Sequence, residues 1–231
     1  MSILYGVSVG TGDKELITLK AINAVKNCNV IAYIHSPNNQ SMALEIINEY
    51  ITDDKIHIAI EMPMGKNTKN AIYIYDSACE KIKQHLVKGT SVAFLCEGDA
   101  MFYGSFMYVN ERIKYQYNVK IISGINSVSA STASLGVGLV SRNEILSVIP
   151  AGADEEKIIT TIKNSDTITI VKTNNNNIDK IKKILSDLNL LDKAMCIINA
   201  SSKNEQIIKL NKLNEIPYFT TIIIKKNKDF Y

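Results

Sequence analysis

Between residues 3 and 122, short apolar runs alternate with longer stretches of helical period, and that alternation restricts the fold more than any other feature of the chain. The apolar runs are Ile3–Val9, Val30–Ile34, Ile56–Ile60, Ser91–Cys96 and Val119–Ile122. Between them, Glu15–Cys28 carries apolar residues at Leu16, Leu19, Ile22 and Val25. That spacing predicts a helix, with Asp13 placed to cap it. Met42–Tyr50, Ala71–Leu86 and Ser105–Gln116 read as further helices, and Met62–Asn70 reads as a loop. Strands alternating with helices in this way predict a mostly parallel sheet covered on both faces.

The pattern then restarts. A Ser- and Ala-rich helix is expected over 127–137, a strand over 145–149 ending at Pro150, a helix over 154–163 and a strand over 166–171. Asn174–Asn177 reads as a loop before a helix over 178–189, a strand over 194–199 and a last strand near 218–225. A boundary near Ser123 divides the chain into an N-terminal α/β domain, 1–122, and a C-terminal α/β domain, 123–231. Strand direction in the second sheet is not fixed by the pattern, and a mixed sheet is expected. Several strands end in small, polar or glycine-rich segments, which favours an active-site cleft between the two domains. A chain of 231 residues buries roughly 70% of its unfolded surface, enough for a sizeable core.

Charge and ligand inventory exclude several classes. The net charge of +3 is spread along the chain without a basic block, so no nucleic-acid partner is expected. Cys28, Cys79, Cys96 and Cys196 lack metal-ligand spacing, and there are three histidines, so no metal site is expected. The cysteines read as small buried hydrophobes in a reducing compartment. MSILYGVSVGTGD has no basic leader region, and no run reaches the roughly 18 apolar residues of a membrane span. A cytoplasmic protein without membrane attachment is expected. His35, His57 and His85 have no neighbours suggesting a nucleophile, and GxSxG is absent.

Three glycine-rich segments follow strands. Gly6-Val-Ser-Val-Gly10-Thr-Gly12-Asp13 has neither the dinucleotide spacing GxGxxG nor a Lys-Ser/Thr ending. It is either a bare tight turn or a place where a ligand approaches backbone amides. Glu97-Gly98-Asp99-Ala100-Met101-Phe102-Tyr103-Gly104 sets two carboxylates beyond an apolar strand, where ligands of open α/β sheets bind. Asp99 there either holds a ribose or ammonium group or caps the helix after Gly104, and Phe102 and Tyr103 otherwise read as core. Ser123-Gly124-Ile125-Asn126-Ser127 opens the second domain with small hydroxyl residues, suited either to a polar ligand or to close helix packing. Lys172 and Asn199-Ala200-Ser201-Ser202 end two later strands.

Taken together, these segments resemble the tetrapyrrole methyltransferase family, the class III fold of S-adenosylmethionine-dependent enzymes. The family's opening GVGVGPGD stands here as GVSVGTGD, its GDP-x-x-YG as LCEGDAMFYG, and its PGxSS-x-x-A as SGINSVSA. The resemblance spans essentially the whole chain. TGDKELITLKA, CEGDAMFYGSFMYVNERI and PYFTTIIIK are most similar to the methyltransferases acting at carbon 20 of precorrin-2 or cobalt-factor II. Thr11, Ala100 and Ser123 stand where the family usually has proline, Ser8 replaces a glycine, and Asn126 replaces a serine or threonine.

The resemblance implies methyl transfer from S-adenosylmethionine, leaving S-adenosylhomocysteine, to carbon 20 of precorrin-2 or cobalt-factor II during cobalamin biosynthesis. It implies cofactor contacts at Gly98, Asp99, Phe102, Asn126, Ser127, Lys172 and Ala200, and a homodimer. It places Gly10 and Gly12 near the tetrapyrrole. The substrate's carboxylates call for donors, and with Arg112 inside a predicted helix, Arg142 is the better candidate. No side chain is singled out as catalytic base. Methylation at another tetrapyrrole position is the alternative within the class; a non-catalytic tetrapyrrole- or adenosine-binding protein is the alternative outside it.

Overall fold

The computed structural model describes residues 2–38, 40–63 and 68–227. The chain divides into two compact units, Met1–Asn126 and Ser127–Tyr231.

In the first unit, strands β1 (Ile3–Ser8), β2 (Val30–His35), β3 (Ile56–Glu61), β4 (Val92–Cys96) and β5 (Asn118–Ile122) form a sheet of order β3-β2-β4-β1-β5. Its pairings are parallel, with Ser8 beside Cys96 and Val7 beside Ile122. Side chains alternate between two cores, as a strand's period of two requires. Leu4, Val30, Ala32, Val92 and Phe94 pack with helices α3 (Thr68–Val87) and α4 (Phe106–Ile113). Val7, Ile31, Ala93 and Leu95 pack with α1 (Leu19–Asn27) and α2 (Met42–Ile47). The chain moves across the sheet from β1 to β3 through helices on one face, then returns to β5 through helices on the other. Right-handed crossovers demand that change of face when the direction reverses. Gly6 sits against the Phe106 ring: a Cβ there would lie 2.3 Å from Cε1.

The helix expected over 15–28 is shorter. Asp13 caps a single 3-10 turn, Lys14–Leu16, by accepting from the Glu15 amide at 2.9 Å. The α-helix starts afresh at Thr18, whose hydroxyl accepts from the Ala21 amide at 3.2 Å. The restart rotates the buried face, so Ala21, Ala24 and Val25 are inside and Leu19 is 80% exposed. The end of the expected Met42–Tyr50 helix becomes a 3-10 turn, Asn48–Tyr50. Of the expected loop Met62–Asn70, residues 64–67 lie outside the described residues, and α3 already begins at Thr68.

The second unit contains α5 (Ser127–Leu135), β6 (Leu146–Pro150), α6 (Glu155–Lys163), β7 (Thr167–Val171), α7 (Asn175–Asp187), β8 (Ala194–Ile198), β9 (Gln206–Lys209) and β10 (Thr220–Lys225). Its sheet, of order β6-β7-β10-β8-β9, is mixed: β6 and β7 are parallel, while β10 runs antiparallel to both β7 and β8. Ile168, Ile170, Cys196, Ile222 and Ile224 pack with α6 and α7. On the opposite face Thr167 donates to the Leu139 carbonyl, and buried Lys225 donates to that of Gly138 at 2.7 Å. Asn174–Asn177 is the start of α7 rather than a loop. Asn174 accepts from the Asn176 amide while its own amide donates to Asn177 Oδ1, each at 3.0 Å, forming a capping box. Asparagine is poor inside helices but good at their ends, so a run of it marks a start as readily as a loop. The edge strand β9 was not expected.

Candidate active site

In the first sheet β4, β1 and β5 are neighbours, so the segments that follow them meet at one end. Segments distant in sequence are joined there by specific bonds. The Val9 amide donates to the Cys96 carbonyl at 2.9 Å, and Gly10 and Gly98 form an antiparallel bridge with N–O distances of 3.2 and 2.6 Å. The buried Ser8 hydroxyl accepts from the Ala100 amide at 2.8 Å. Asp99 links the two outer segments: Oδ1 accepts from the Met101 amide and Oδ2 from the Gly124 amide, both at 2.9 Å. Of the two alternatives for Asp99, the helix cap is not formed. Helix α4 has Ser105 at its N-cap, with no side-chain capping bond.

Two glycines here are required by space or conformation. A Cβ on Gly124 would lie 2.5 Å from Ser8 Cβ and 2.8 Å from the Gly98 carbonyl oxygen. Gly98 has φ +63, a conformation costing a residue with a Cβ about 1–2 kcal/mol. Bare backbone therefore lines this sheet end, with Asn126 beside Gly98. Phe102 and Tyr103 are not core residues: they are 36% and 38% exposed and stack edge to face at 5.3 Å. An exposed aromatic beside a backbone cradle suits a planar ligand ring.

In the second unit Lys172 and Ala200 occupy comparable positions. Lys172 follows β7 with φ 56; Asn199 and Ser201 follow β8 with φ 50 and φ 63 around buried Ala200. Antiparallel β10 lies between β7 and β8, so its first residues meet both turns. Thr173 donates to the Thr220 carbonyl at 3.1 Å, and the Asn199 amide to that of Phe219 at 2.8 Å. Asn177 holds the Lys172 carbonyl at 3.3 Å. Ser127 begins α5.

The structure therefore brings Gly10, Gly98, Asp99 and Asn126 together in one unit, and Lys172 and Ala200 to one sheet end in the other. Arg142 belongs to a separate turn of the second unit. Glu144 closes it by accepting from the Ser141 amide at 2.8 Å, and exposed Arg142 sits at φ 46. Arg112 is engaged elsewhere, with Asp76 at 2.6 Å and the Tyr108 carbonyl at 2.8 Å. Ser8 and Gly124 were not expected to hold the site together; their spacing in sequence carries no signal of contact.

Among the described residues no cluster of His, Cys, Asp or Glu is arranged for a metal ion, and no helix is long and apolar enough to cross a membrane. The four cysteines are buried and none forms a disulfide. Burial pushes the thiols of Cys28 and Cys79 up to about 11 and that of Cys196 to about 12, against weaker opposing pulls from nearby cations. Protonated thiols of this kind are poor nucleophiles.

Residues 3–217 match the Tetrapyrrole (Corrin/Porphyrin) Methylases. The chain belongs to this family. Its members are S-adenosylmethionine-dependent methyltransferases. The methylase is 33% identical to a probable cobalt-precorrin-2 C(20)-methyltransferase of Methanocaldococcus jannaschii, covering 97% of this chain and 96% of that protein. It is 28% identical to a precorrin-2 C(20)-methyltransferase of Sinorhizobium, covering 98% and 96%. It is also 29% identical to the cobalamin biosynthesis protein CobIJ of Mycobacterium tuberculosis, covering 96% of this chain but only 45% of that longer protein. Among solved structures, the fold matches the methyltransferase CobJ with a TM-score of 0.73 at 11% identity, covering 98% of this chain and 95% of that one. It also matches uroporphyrin-III C-methyltransferase of Thermus thermophilus complexed with S-adenosylhomocysteine, with a TM-score of 0.70 at 18% identity and 98% of each chain covered.

Proposed function

We propose that this methylase transfers a methyl group from S-adenosylmethionine to carbon 20 of precorrin-2, or of its cobalt-bearing counterpart, on the route to cobalamin. The observation that carries the reading is the bonded junction of GVSVGTGD, EGDAMFYG and SGIN at three adjacent strand ends. The end-to-end likeness to relatives named for carbon 20 supports the position.

Gly98, Asp99, Phe102 and Asn126 are assigned to the cofactor, together with Ser127, Lys172 and Ala200. The fit rests on what these residues present. Gly98 leaves room for a ligand against the main chain, Phe102 offers a half-exposed ring, and the Lys172 and Asn199–Ser201 turns hold backbone groups in fixed left-handed conformations. Asp99 fixes the backbone of Met101 and Gly124 through one amide per carboxylate oxygen, and each oxygen keeps a second acceptor site for the cofactor. The bound cofactor supplies a methyl group already activated on sulfur. The protein's task is to hold that methyl in line with an electron-rich carbon and exclude water, an effect on the order of 7–11 kcal/mol for well-aligned reactants. Transfer would make the carbon–carbon bond as the sulfur–methyl bond breaks, with the carbon 20 proton passing to a carboxylate, a tyrosine or water. Gly10, Gly12 and Arg142 are assigned to the tetrapyrrole, with Arg142 pairing a substrate carboxylate. The working form is a cytoplasmic homodimer.

Incubation with precorrin-2 and with its cobalt form, separately, tests the reaction. The expected product carries one added methyl at carbon 20 by mass spectrometry and NMR. A methyl on another carbon overturns the position, and tight binding without turnover marks a binding protein. Light scattering at micromolar protein should give twice the 25.7 kDa chain mass; a monomer mass rejects the dimer.

A further inference from the structure

We propose that Glu205, a residue outside every motif of the family signature, is a positioning residue for the cofactor. It lies between β8 and β9, where neither sequence pattern nor resemblance drew attention. One of its oxygens, Oε2, accepts from the Ser201 amide and from the Ser134 hydroxyl, both at 2.5 Å. Ser134 belongs to α5, the helix that begins at Ser127. Ser201 belongs to the left-handed turn around Ala200. A single carboxylate oxygen thus ties together the two elements of the second unit that present Ser127 and Ala200. The role rests on the assignment of those two residues to S-adenosylmethionine.

Stability of α5 does not explain the arrangement. Ser134 is in the last turn of that helix, where exposed carbonyls make a carboxylate unfavourable. The hydroxyl also has another acceptor of its own, the Ala130 carbonyl at 3.1 Å, and its one proton can serve only one of the two. The shorter contact to the charged oxygen is the stronger, at a distance characteristic of a charge-assisted bond. At Ser201 the carboxylate fixes an amide whose φ of 63 a serine rarely adopts. The rest of the turn is stitched by Ser202 donating to the Asn199 carbonyl at 3.0 Å and Glu205 donating to that of Ser202 at 3.1 Å. Glu205 therefore closes its own loop back onto the turn and couples the closed loop to α5.

The test is calorimetric binding of S-adenosylhomocysteine together with steady-state kinetics in S-adenosylmethionine. Glu205→Ala should weaken binding at least tenfold, about 1.4 kcal/mol, and raise the cofactor KM to match, while kcat at saturating cofactor stays within about twofold. Glu205→Gln keeps one acceptor oxygen and should recover much of the lost affinity. Ser134→Ala cuts only the link to the helix and should fall between wild type and Glu205→Ala. Should Glu205→Ala fail to fold, the other two variants carry the test. Wild-type binding with affinity within twofold in these variants overturns the role of Glu205 alone. A lowered melting temperature without any change in cofactor KM does the same. A wild-type protein that binds no S-adenosylhomocysteine at millimolar concentration overturns the cofactor assignment itself.

Discussion

Ser8 and Ala100 replace a glycine and a proline of the family signature, and the two replacements meet in space. The Ser8 hydroxyl accepts the Ala100 amide at 2.8 Å, across 92 residues of sequence, and both residues are fully buried. A proline at 100 has no amide hydrogen to donate, and its ring carbon would occupy the hydrogen's position, against the Ser8 oxygen. A glycine at 8 leaves the Ala100 amide without that acceptor. Ser8→Gly should therefore cost roughly 1–3 kcal/mol for the orphaned buried donor, plus about 0.5–1 kcal/mol for glycine in a strand. Ala100→Pro alone should also destabilise, through the clash and the unpaired hydroxyl. The double variant Ser8→Gly/Ala100→Pro restores a mutually compatible pair and should be more stable than the two single losses predict, by roughly 1–3 kcal/mol. Urea unfolding of the wild type, both single variants and the double variant measures that coupling. Effects additive to within about 0.5 kcal/mol would refute the idea that a hydrogen bond here has taken over the proline's task.

Asp99→Asn should lower the melting temperature by about 3–6 °C, because the amide offers one acceptor where Met101 and Gly124 need two, and a bond to a charged group is worth about 1.5–3 kcal/mol before the discount for partial exposure. Calorimetry showing a shift under 1 °C would return Asp99 to a purely ligand-facing role. Arg142→Gly should raise the tetrapyrrole KM about tenfold, near 1.4 kcal/mol, while leaving the melting temperature within about 2 °C, since glycine relieves the φ of 46. A melting loss with unchanged KM would make Arg142 structural. The thiols of Cys28, Cys79 and Cys196, raised from 9.0 to about 11, 11 and 12, stay protonated in the folded chain while the unfolded chain ionises them, so stability should fall as pH rises from 9 to 11. Urea midpoints at pH 8 and 10.5 should differ less in Cys196→Ala than in the wild type; equal differences refute this.

What the sequence revealed was governed by period and by local chemistry. The strands of both units were legible because runs such as Val92–Cys96 and Thr167–Val171 are buried on both faces and read as continuous apolar segments. Strand β9 was not legible, since Gln206–Lys209 is an edge strand, largely exposed and without a strong pattern. Helix starts were misplaced where a side chain had two possible uses. Thr18 rather than Asp13 caps α1, and the asparagines before α7 form a capping box rather than a loop. The three motifs were legible, but not their junction. Nothing local to Ser8 announces Ala100, and nothing local to Asp99 announces Gly124, because those bonds depend on the strand order.

The backbone conformations explain why the motifs are legible in the sequence while the residues that hold them are not. Among the described residues, six non-glycine positions have left-handed φ: Tyr103, Arg142, Lys172, Asn189, Asn199 and Ser201. Asn189 lies just after α7, where such a residue routinely ends a helix. Arg142 lies in the Glu144-closed turn. The other four follow β4, β7 and β8. Each costs roughly 1–2 kcal/mol relative to a relaxed conformation, and none is a glycine that would lower the cost. Strain of that size persists only where surrounding bonds over-determine it. For Lys172, Asn199 and Ser201 those bonds are visible: the Asn177 side chain to the Lys172 carbonyl, the Phe219 carbonyl to the Asn199 amide, and the Glu205 carboxylate to the Ser201 amide. The Asn177 and Glu205 side chains and the Phe219 carbonyl, all outside the motifs, thus hold these backbones in place. Asn177, Glu205 and Phe219 belong to no motif, so nothing local to them announces that role.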